Sequence, residues 1–311
     1  MGRPLIATVI VNWNTADLLE GVLRNLDEHL PENAPIVVVD NDSADDSVAR
    51  VEAGFPDVKV IQMGENAGFC RANNAGIEAT DSEYVLLINT DARLTDGCLD
   101  GMLVYFDRDP RCAIVGPRLT YGDGSFQRWT GGRLPTVASA STFYYFLDRF
   151  SDRVPALSSV YLAHDTDQPF ACGWVSSAVM MLRRDALDDF GLMDERIFLY
   201  MDDVDLCQRA HDAGWSVWYA ADQTAVHFMN GTSTKATGSA SPEAARSANR
   251  WFARQHGPRA GLAMRISQAG GFGLRAAGHG AIGLATRDRQ RTQLARAHWN
   301  QVRICKETPD A

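Results

Sequence analysis

Tyr84-Val85-Leu86-Leu87-Ile88-Asn89-Thr90-Asp91 decides the fold, because a strongly apolar, strand-like run stops there on a polar tripeptide that ends in a carboxylate. Ile36-Val37-Val38-Val39-Asp40-Asn41-Asp42-Ser43 repeats the arrangement upstream, and further strand candidates fall at Leu5 to Val11, Val58 to Gln62 and Ala113 to Val115. Helix-like stretches separate them at Ala16 to His29, Asp45 to Ala53, Cys70 to Ala79 and Thr95 to Asp107, with Thr15, Ser43 and Thr95 placed to cap them. This alternation predicts β-α-β units with right-handed crossovers, hence an α/β fold whose open, mostly parallel sheet is flanked by helices. Ligands of such sheets bind beyond the carboxyl ends of the strands, where the chain order reverses, and Asp40 and Asp91 both end strands.

Outward from this core the text changes. From Tyr121 to about Pro169 it is rich in glycine, aromatics and polar residues, which reads as loops forming a substrate-facing insertion. Regularity returns with the apolar Trp174 to Leu182, a short helix near Arg184 to Phe190, and a helix from about Asp203 to Ala213 whose Asp205 and Arg209 read as a surface pair one turn apart. From Pro242 the chain is helix-prone, and its glycines, Gly261 through Gly283, predict two or three helices with a glycine break. The domain reading is therefore residues 1–240 as the catalytic body and 241–311 as a helical C-terminal extension.

Of the 311 residues 45% are hydrophobic and 22% charged, a globular balance, and the net charge of −9 is unevenly placed. Residues 241–311 hold 12 Lys or Arg against 4 Asp or Glu, a surplus of +8, which leaves −17 on the first 240. An acidic body argues against a nucleic-acid binder with a whole-molecule footprint, and a basic tail predicts contact with an anionic membrane surface. The 6 cysteines are scattered without a C-x-x-C pair, as in a reducing compartment, and Met1 to Val11 lacks a leader's cleavage pattern. Arg265, Arg275 and Arg287 interrupt the nearest approach to a spanning segment. The expected location is cytoplasmic, peripheral on the inner face of the plasma membrane.

A lone Asp after a strand is commonly a cap or an Asx-turn, whereas two of them at neighbouring strand ends point to a shared ligand. Asn89-Thr90-Asp91 has D-x-D spacing with the first Asp replaced by Asn, and Mg²⁺ or Mn²⁺ is typically held by one or two carboxylates while substrate phosphates complete the shell. Asp202 and Asp203 stand side by side, so like charge and partial desolvation push one pKa upward, as a general base requires.

In order along the chain, Val9-Ile10-Val11-Asn12-Trp13-Asn14, Val39-Asp40-Asn41-Asp42-Ser43, and Asn66-Ala67-Gly68-Phe69-Cys70-Arg71-Ala72-Asn73-Asn74-Ala75-Gly76 match successive motifs of one family. They are followed by Phe198-Leu199-Tyr200-Met201-Asp202-Asp203-Val204-Asp205-Leu206-Cys207-Gln208-Arg209 and then Gly214-Trp215. The chain thus resembles glycosyltransferase family 2, of GT-A fold, over nearly all of residues 5 to 235, and within it the bacterial rhamnosyltransferase branch. Two departures stand out: Asp202-Asp203 replaces the usual Glu-Asp, and Ser177 stands where the family often has Gly.

The resemblance implies an inverting, metal-dependent transferase with Mg²⁺ or Mn²⁺ as cofactor. It would move L-rhamnose from dTDP-L-rhamnose onto a polyprenyl-diphosphate-linked saccharide during cell-surface polysaccharide synthesis. It assigns Asp203 as base with Asp202 beside it, and Asp91 as metal ligand. His227, in Ala225-Val226-His227-Phe228 followed by Gly231-Thr232-Ser233, joins the metal or the diphosphate. Donor contacts fall to Asn12, Asp40, Asn66, Gly68, Asn73, Asn89 and Trp174. Trp174 with the Asn73 and Asn74 pair would face the deoxysugar.

Competing functions leave different marks. Neither G-x-G-x-x-G after the first strand nor G-x-x-x-x-G-K-[ST] occurs, which removes dinucleotide and P-loop enzymes. A nucleotidyltransferase needs a Gly-rich basic loop after strand one, where this chain reads Asn12-Trp13-Asn14-Thr15. The remaining alternatives are a relative using a UDP-hexose and a non-catalytic sugar- or membrane-binding subunit, the latter supported by Asn89.

Overall fold

The computed structural model describes residues 4–229 and 241–307, so Gly231-Thr232-Ser233 lies outside the described residues. These fall into two compact units, one of residues 4–134, 164–198 and 202–229, the other of 135–163, 199–201 and 241–307. The loop-rich stretch from Tyr121 to Pro169 is thus divided between them.

The first unit is built on a 9-stranded sheet. Its strands are β1 (Ile6–Asn12), β2 (Ile36–Asp40), β3 (Lys59–Gln62), β4 (Tyr84–Ile88), β5 (Ala92–Leu94), β6 (Cys112–Thr120), β8 (Phe170–Ala171), β10 (Val179–Arg183) and β11 (Ser216–His227), while β7 (Gly131–Gly132) and β9 (Trp174–Val175) form a separate ribbon. The order is β3-β2-β1-β4-β10-β6-β11-β5, with β8 against β11. β1, β2, β3, β4, β6 and β11 point the same way and β10, β5 and β8 run against them. The chain order reverses at β1, whose neighbours are β2 and β4, and this places the ends of all three strands at one switch point.

Burial explains why the strands read so clearly. Val37, Val38, Val39, Val85, Leu86 and Leu87 are at most 1% exposed, since helices cover both faces of the parallel half. The helix Ala16–His29 turns Leu19, Val22, Leu23 and Leu26 inward, at the three- and four-residue spacing of an amphipathic helix. Around the second half of the sheet the strands are longer than their text suggests: β6 runs on through Gly116 and Pro117, because β11 pairs with it across two register shifts.

Of the expected caps only Thr15 holds the N-cap position, before Ala16–His29, and there its backbone carbonyl, not its side chain, does the work. Thr15, Ser43 and Thr95 make no side-chain capping hydrogen bond, and the helices after the last two start at Ser47 and Cys98 behind Asp46 and Gly97. Their hydroxyls join separate strand ends instead, Thr95 donating to Thr224 O. The Asp205 and Arg209 pair also proves more than a surface staple. Asp205 is 7% exposed, and Arg209 bonds it at 2.9 Å while also donating to Phe190 O, tying the helix Asp202–Asp212 to Leu187–Phe190.

The second unit contains the helix Val137–Tyr144, started by a Thr136–Ser139 capping box, and the helices Pro242–His256, Pro258–Thr286 and Arg289–Ile304. The expected glycine break falls at Gly257, at φ +85°, and not within Gly261 to Gly283. Those glycines lie inside one 29-residue helix, where several mark close approach. A Cβ at Gly261 would stand 2.7 Å from Ala253 Cβ, and one at Gly271 2.6 Å from Tyr144 Cβ. No described helix is long and apolar enough to cross a membrane.

Candidate active site

The ends of β1 and β2 are joined side chain to side chain. Asn12, fully buried, donates from Nδ2 to Asp40 Oδ1 at 2.8 Å and to Ser43 Oγ at 3.0 Å, while Ser43 N donates to Asp40 Oδ2 at 3.0 Å. Asn14 and Asp42 adopt φ of +55° and +66°, a left-handed conformation that Asn and Asp tolerate in tight turns. Beside this turn opens a cavity of about 340 Å³ whose lining includes Asp40, Asp42, Asp45, Asp46, Glu52 and Gln62. A wall of carboxylates accepts hydrogen bonds from ribose hydroxyls and base N–H groups and repels phosphate, so it suits the nucleoside end of a donor.

Asn66 and Gly68 are held by a residue the sequence reading left without a role. Asn41 donates to Asn66 Oδ1 at 3.1 Å and to Gly68 O at 3.2 Å, and accepts from Ala67 N at 2.9 Å. Gly68 sits at φ +87°, and a Cβ there would come within 2.9 Å of Phe198 O, so glycine is required both by conformation and by space. Asn73 donates to Phe69 O one turn back in its own helix, and Asn74 is fixed to Met193 O and Glu195. Asn74 thus braces the 193–195 loop. Trp174 is 4% exposed within the β7–β9 ribbon, leaving little open ring for a sugar, whereas Trp13, directly after β1, is 42% exposed.

From the β1 end a polar path leads to β4. Thr15 Oγ1 donates to Asn12 Oδ1 at 2.7 Å and lies 3.1 Å from Thr90 Oγ1, next to Asp91. Asp91 is 5% exposed and its Oδ1 is 3.3 Å from His227 Nε2, brought there by the β11–β5 pairing of His227 with Ala92. Phe228 N donates to Asp91 O at 2.9 Å and closes the corner. His227 Nδ1 is 3.1 Å from Oε1 of Gln127, a residue 1% exposed. Asn89 faces the other way along the backbone, its N–H donating to Ala178 O at 2.9 Å.

That last bond joins the metal-like corner to the paired acids, because Ala178 follows Ser177. Ser177 Oγ donates to Asp202 Oδ2 at 2.7 Å, and the Ser177 backbone N–H bonds Asp203. The serine that departs from the family's glycine therefore holds both carboxylates. Burial raises the pKa of Asp202, against the lowering effect of the Ser177 hydroxyl. Burial and then the Asp202 charge push Asp203 well above the usual carboxylate range, while Val204 N, 2.8 Å from Oδ1, pulls the other way. The chain enters this helix through Tyr200 and Met201 at φ +64° and +67°, non-glycine strain of the kind that gathers at functional sites.

Among the described residues no group of three or more His, Cys, Asp and Glu is arranged to hold a metal. Asp91 and His227 are the pair that could hold an ion, and two such groups fit a hard divalent ion that would complete its shell with substrate phosphate oxygens and water. The six cysteines are free and buried, which agrees with a packing role.

An open α/β sheet with carboxylates gathered beyond the ends of β2 and β4 is the architecture of a GT-A-type glycosyltransferase. The family model for Glycosyl transferase family 2 matches residues 8–164, half of the chain, and the chain belongs to that family. It is 26% identical over 234 residues to the N-acetylglucosaminyl-diphospho-decaprenol L-rhamnosyltransferase of Mycobacterium tuberculosis, covering 72% of this chain and 76% of that one. It is 24% identical over 239 residues to the dTDP-rhamnosyl transferase RfbF of Shigella flexneri, covering 75% and 72%. Among solved structures, the mannosyltransferase PcManGT of Pyrobaculum calidifontis, in complex with GDP-Man and Mn²⁺, superposes with a TM-score of 0.59 at 17% identity, over 98% of this chain and 89% of that one.

Proposed function

We propose that this glycosyltransferase moves L-rhamnose from dTDP-L-rhamnose to a hydroxyl of a polyprenyl-diphosphate-linked saccharide, with inversion, in cell-surface polysaccharide synthesis. The observation that carries the chemistry is the β4–β10 junction, where Asn89 N on Ala178 O sets the Asp91–His227 corner beside the Ser177-held acids. The two rhamnosyltransferase relatives, each matched over more than two thirds of both chains, support the sugar.

The roles follow from the geometry. Asp203, its basicity raised by burial and by Asp202, accepts the acceptor hydroxyl's proton as that oxygen bonds to the anomeric carbon. The bond from that carbon to the donor phosphate oxygen breaks, and its electron pair leaves with the nucleoside diphosphate. Asp91 and His227 would hold Mg²⁺ or Mn²⁺, which would supply positive charge to the diphosphate. Asp40, Asn12, Asn66, Gly68, Asn73 and Asn89 shape the donor side, with residues 1–240 as the catalytic domain.

Residues 241–311 form the extension that meets the inner leaflet. The helix Pro258–Thr286 leaves Leu262, Ile266, Leu274, Ile282 and Leu284 exposed within a segment of net charge +8, a combination suited to a shallow seat on anionic lipid. Vesicles containing phosphatidylglycerol should co-sediment the protein at low salt and release Ile266→Glu; equal retention of both would remove the membrane seat.

A donor panel tests the whole reading. With Mn²⁺ or Mg²⁺, dTDP-L-rhamnose should turn over faster than UDP-glucose, UDP-galactose, UDP-N-acetylglucosamine and GDP-mannose, by roughly 10 to 200-fold over a sugar differing by one group. Preference for a UDP or GDP sugar discards rhamnose and leaves a family 2 transferase. No turnover or hydrolysis of any donor would favour a non-catalytic subunit.

A further inference from the structure

Gln127 lies in the glycine-rich text after β6, where nothing in the sequence marks it. A tight turn returns the chain upon itself: Tyr121 N donates to Ser125 O at 2.8 Å, Thr120 bridges Phe126, and Gln127 N donates to Leu119 O at 2.9 Å. Thr130 Oγ1 donates to Gln127 O at 2.7 Å, so the residue is pinned on both sides of its backbone. Its side chain is thereby threaded between β6 and the end of β11, which pair at Val226 and Thr120.

The orientation of the amide is fixed by its partners. Nε2 donates to Thr120 O at 3.1 Å and to His227 O, two carbonyls that can only accept, so the nitrogen must occupy that end. The atom left facing His227 Nδ1, at 3.1 Å, is Oε1, which can only accept. Nδ1 must therefore carry a hydrogen. The imidazole nitrogen facing Asp91 at 3.3 Å is Nε2, the one whose lone pair is then available to an ion.

We propose that Gln127 is the positioning residue of the ion site: it fixes His227 with its hydrogen on Nδ1 and aims Nε2 at the space shared with Asp91. This rests on the reading of Asp91 and His227 as ligands, and it adds the partner that sets the ring's tautomer and angle, a role that second-shell groups commonly play for ligating histidines. Backbone carbonyls or carboxylates often fill it; here a buried amide does so because its own nitrogen is tied to two strand carbonyls, which leaves its oxygen no freedom to turn away.

The test reads the ring and the ion separately. In ¹⁵N-histidine-labelled, metal-free wild type, long-range ¹⁵N–¹H spectra should show His227 with hydrogen on Nδ1 at every pH at which the protein is folded. A neutral ring with hydrogen on Nε2 overturns the proposal. Gln127→Met, close in volume but without an acceptor, should admit the Nε2–H form and weaken Mn²⁺ binding by roughly 10 to 100-fold, read from free Mn²⁺ by electron paramagnetic resonance with dTDP and, in parallel, UDP. Gln127→Glu, which can keep an acceptor at Nδ1 but sets its second oxygen against the Thr120 and His227 carbonyls, should recover the Nδ1–H form and the affinity only in part. Unchanged Mn²⁺ affinity in folded Gln127→Met overturns the proposal. Wild type that binds no Mn²⁺ with either nucleotide would instead sink the ligand reading of Asp91 and His227, and the ring spectrum would still decide what Gln127 does.

Discussion

The two acidic corners at the carboxyl end of the sheet use the same side chain for opposite purposes. At the end of β4, Asp91 is set against an imidazole 3.3 Å away, and its charge also acts on Arg93. At the start of the helix Asp202–Asp212, Asp202 and Asp203 are set against each other, and burial raises both pKa values. A carboxylate set beside an imidazole nitrogen is placed to share a cation with it, whereas a buried like-charged partner makes a carboxylate hungry for a proton. The difference underlies the proposed division of roles, since acids whose environments push their pKa values apart can divide acid-base work from charge stabilisation.

Removing the first corner should have the largest effect. Asp91→Ala is expected to abolish Mn²⁺-dependent donor binding by calorimetry and to lower turnover by roughly 10³-fold or more, the several kcal/mol a bound ion supplies. Asn89→Ala, whose contact in the fold is through the backbone, should lose much less, and equal losses would show that position 89 is itself a ligand.

Asp203→Asn should keep donor and Mn²⁺ binding while turnover falls by about 10² to 10⁴, the range for a missing general base. A milder loss is expected for Asp202→Asn, and the reverse ranking would move the base to Asp202. Stability should move the other way. A carboxyl whose folded pKa lies above its unfolded value stabilises the fold below the unfolded pKa, and that contribution is lost as pH rises through the folded one. Neutral Asn escapes this cost, so the variant should melt above wild type at neutral pH, with the gap closing as pH falls toward the unfolded carboxylate range.

The smallest expected effect belongs to Ser177→Ala. It removes the hydroxyl on Asp202 and should cost roughly 1.5–3 kcal/mol by urea unfolding, as for a hydrogen bond to a charged group. The hydroxyl lowers the pKa of Asp202, so its contribution is present where Asp202 is ionised and fades as pH falls through that pKa. A loss that grew toward acid would mean that the bond favours the protonated pair.

Much of this was legible because burial leaves a local trace. A strand covered on both faces has to be apolar along its length, so Ile36–Asp40 and Tyr84–Ile88 were bounded correctly from text alone. Ala16–His29 was equally plain from its inward leucine and valine spacing. Thr15 does sit at its helix N-cap, but its hydroxyl, like those of Ser43 and Thr95, is taken by partners at strand ends rather than by the helix's own backbone, which the text could not show. The tail glycines misled for a related reason: a missing side chain reads as freedom in one dimension and serves as contact in three.

By itself the sequence determined the alternation of elements, the carboxylates at the ends of β2 and β4, the Asp202–Asp203 pair and the family, because each of these is written in neighbouring residues. Only the tertiary structure decided which groups answer one another: Asn41 to the Asn66–Gly68 turn, Ser177 to the paired acids, His227 to Asp91, and Gln127 to His227 across 100 positions of chain. Such partners are chosen by strand register and by the need of each buried polar atom for a complement, and neither is encoded in the spacing of residues along the chain.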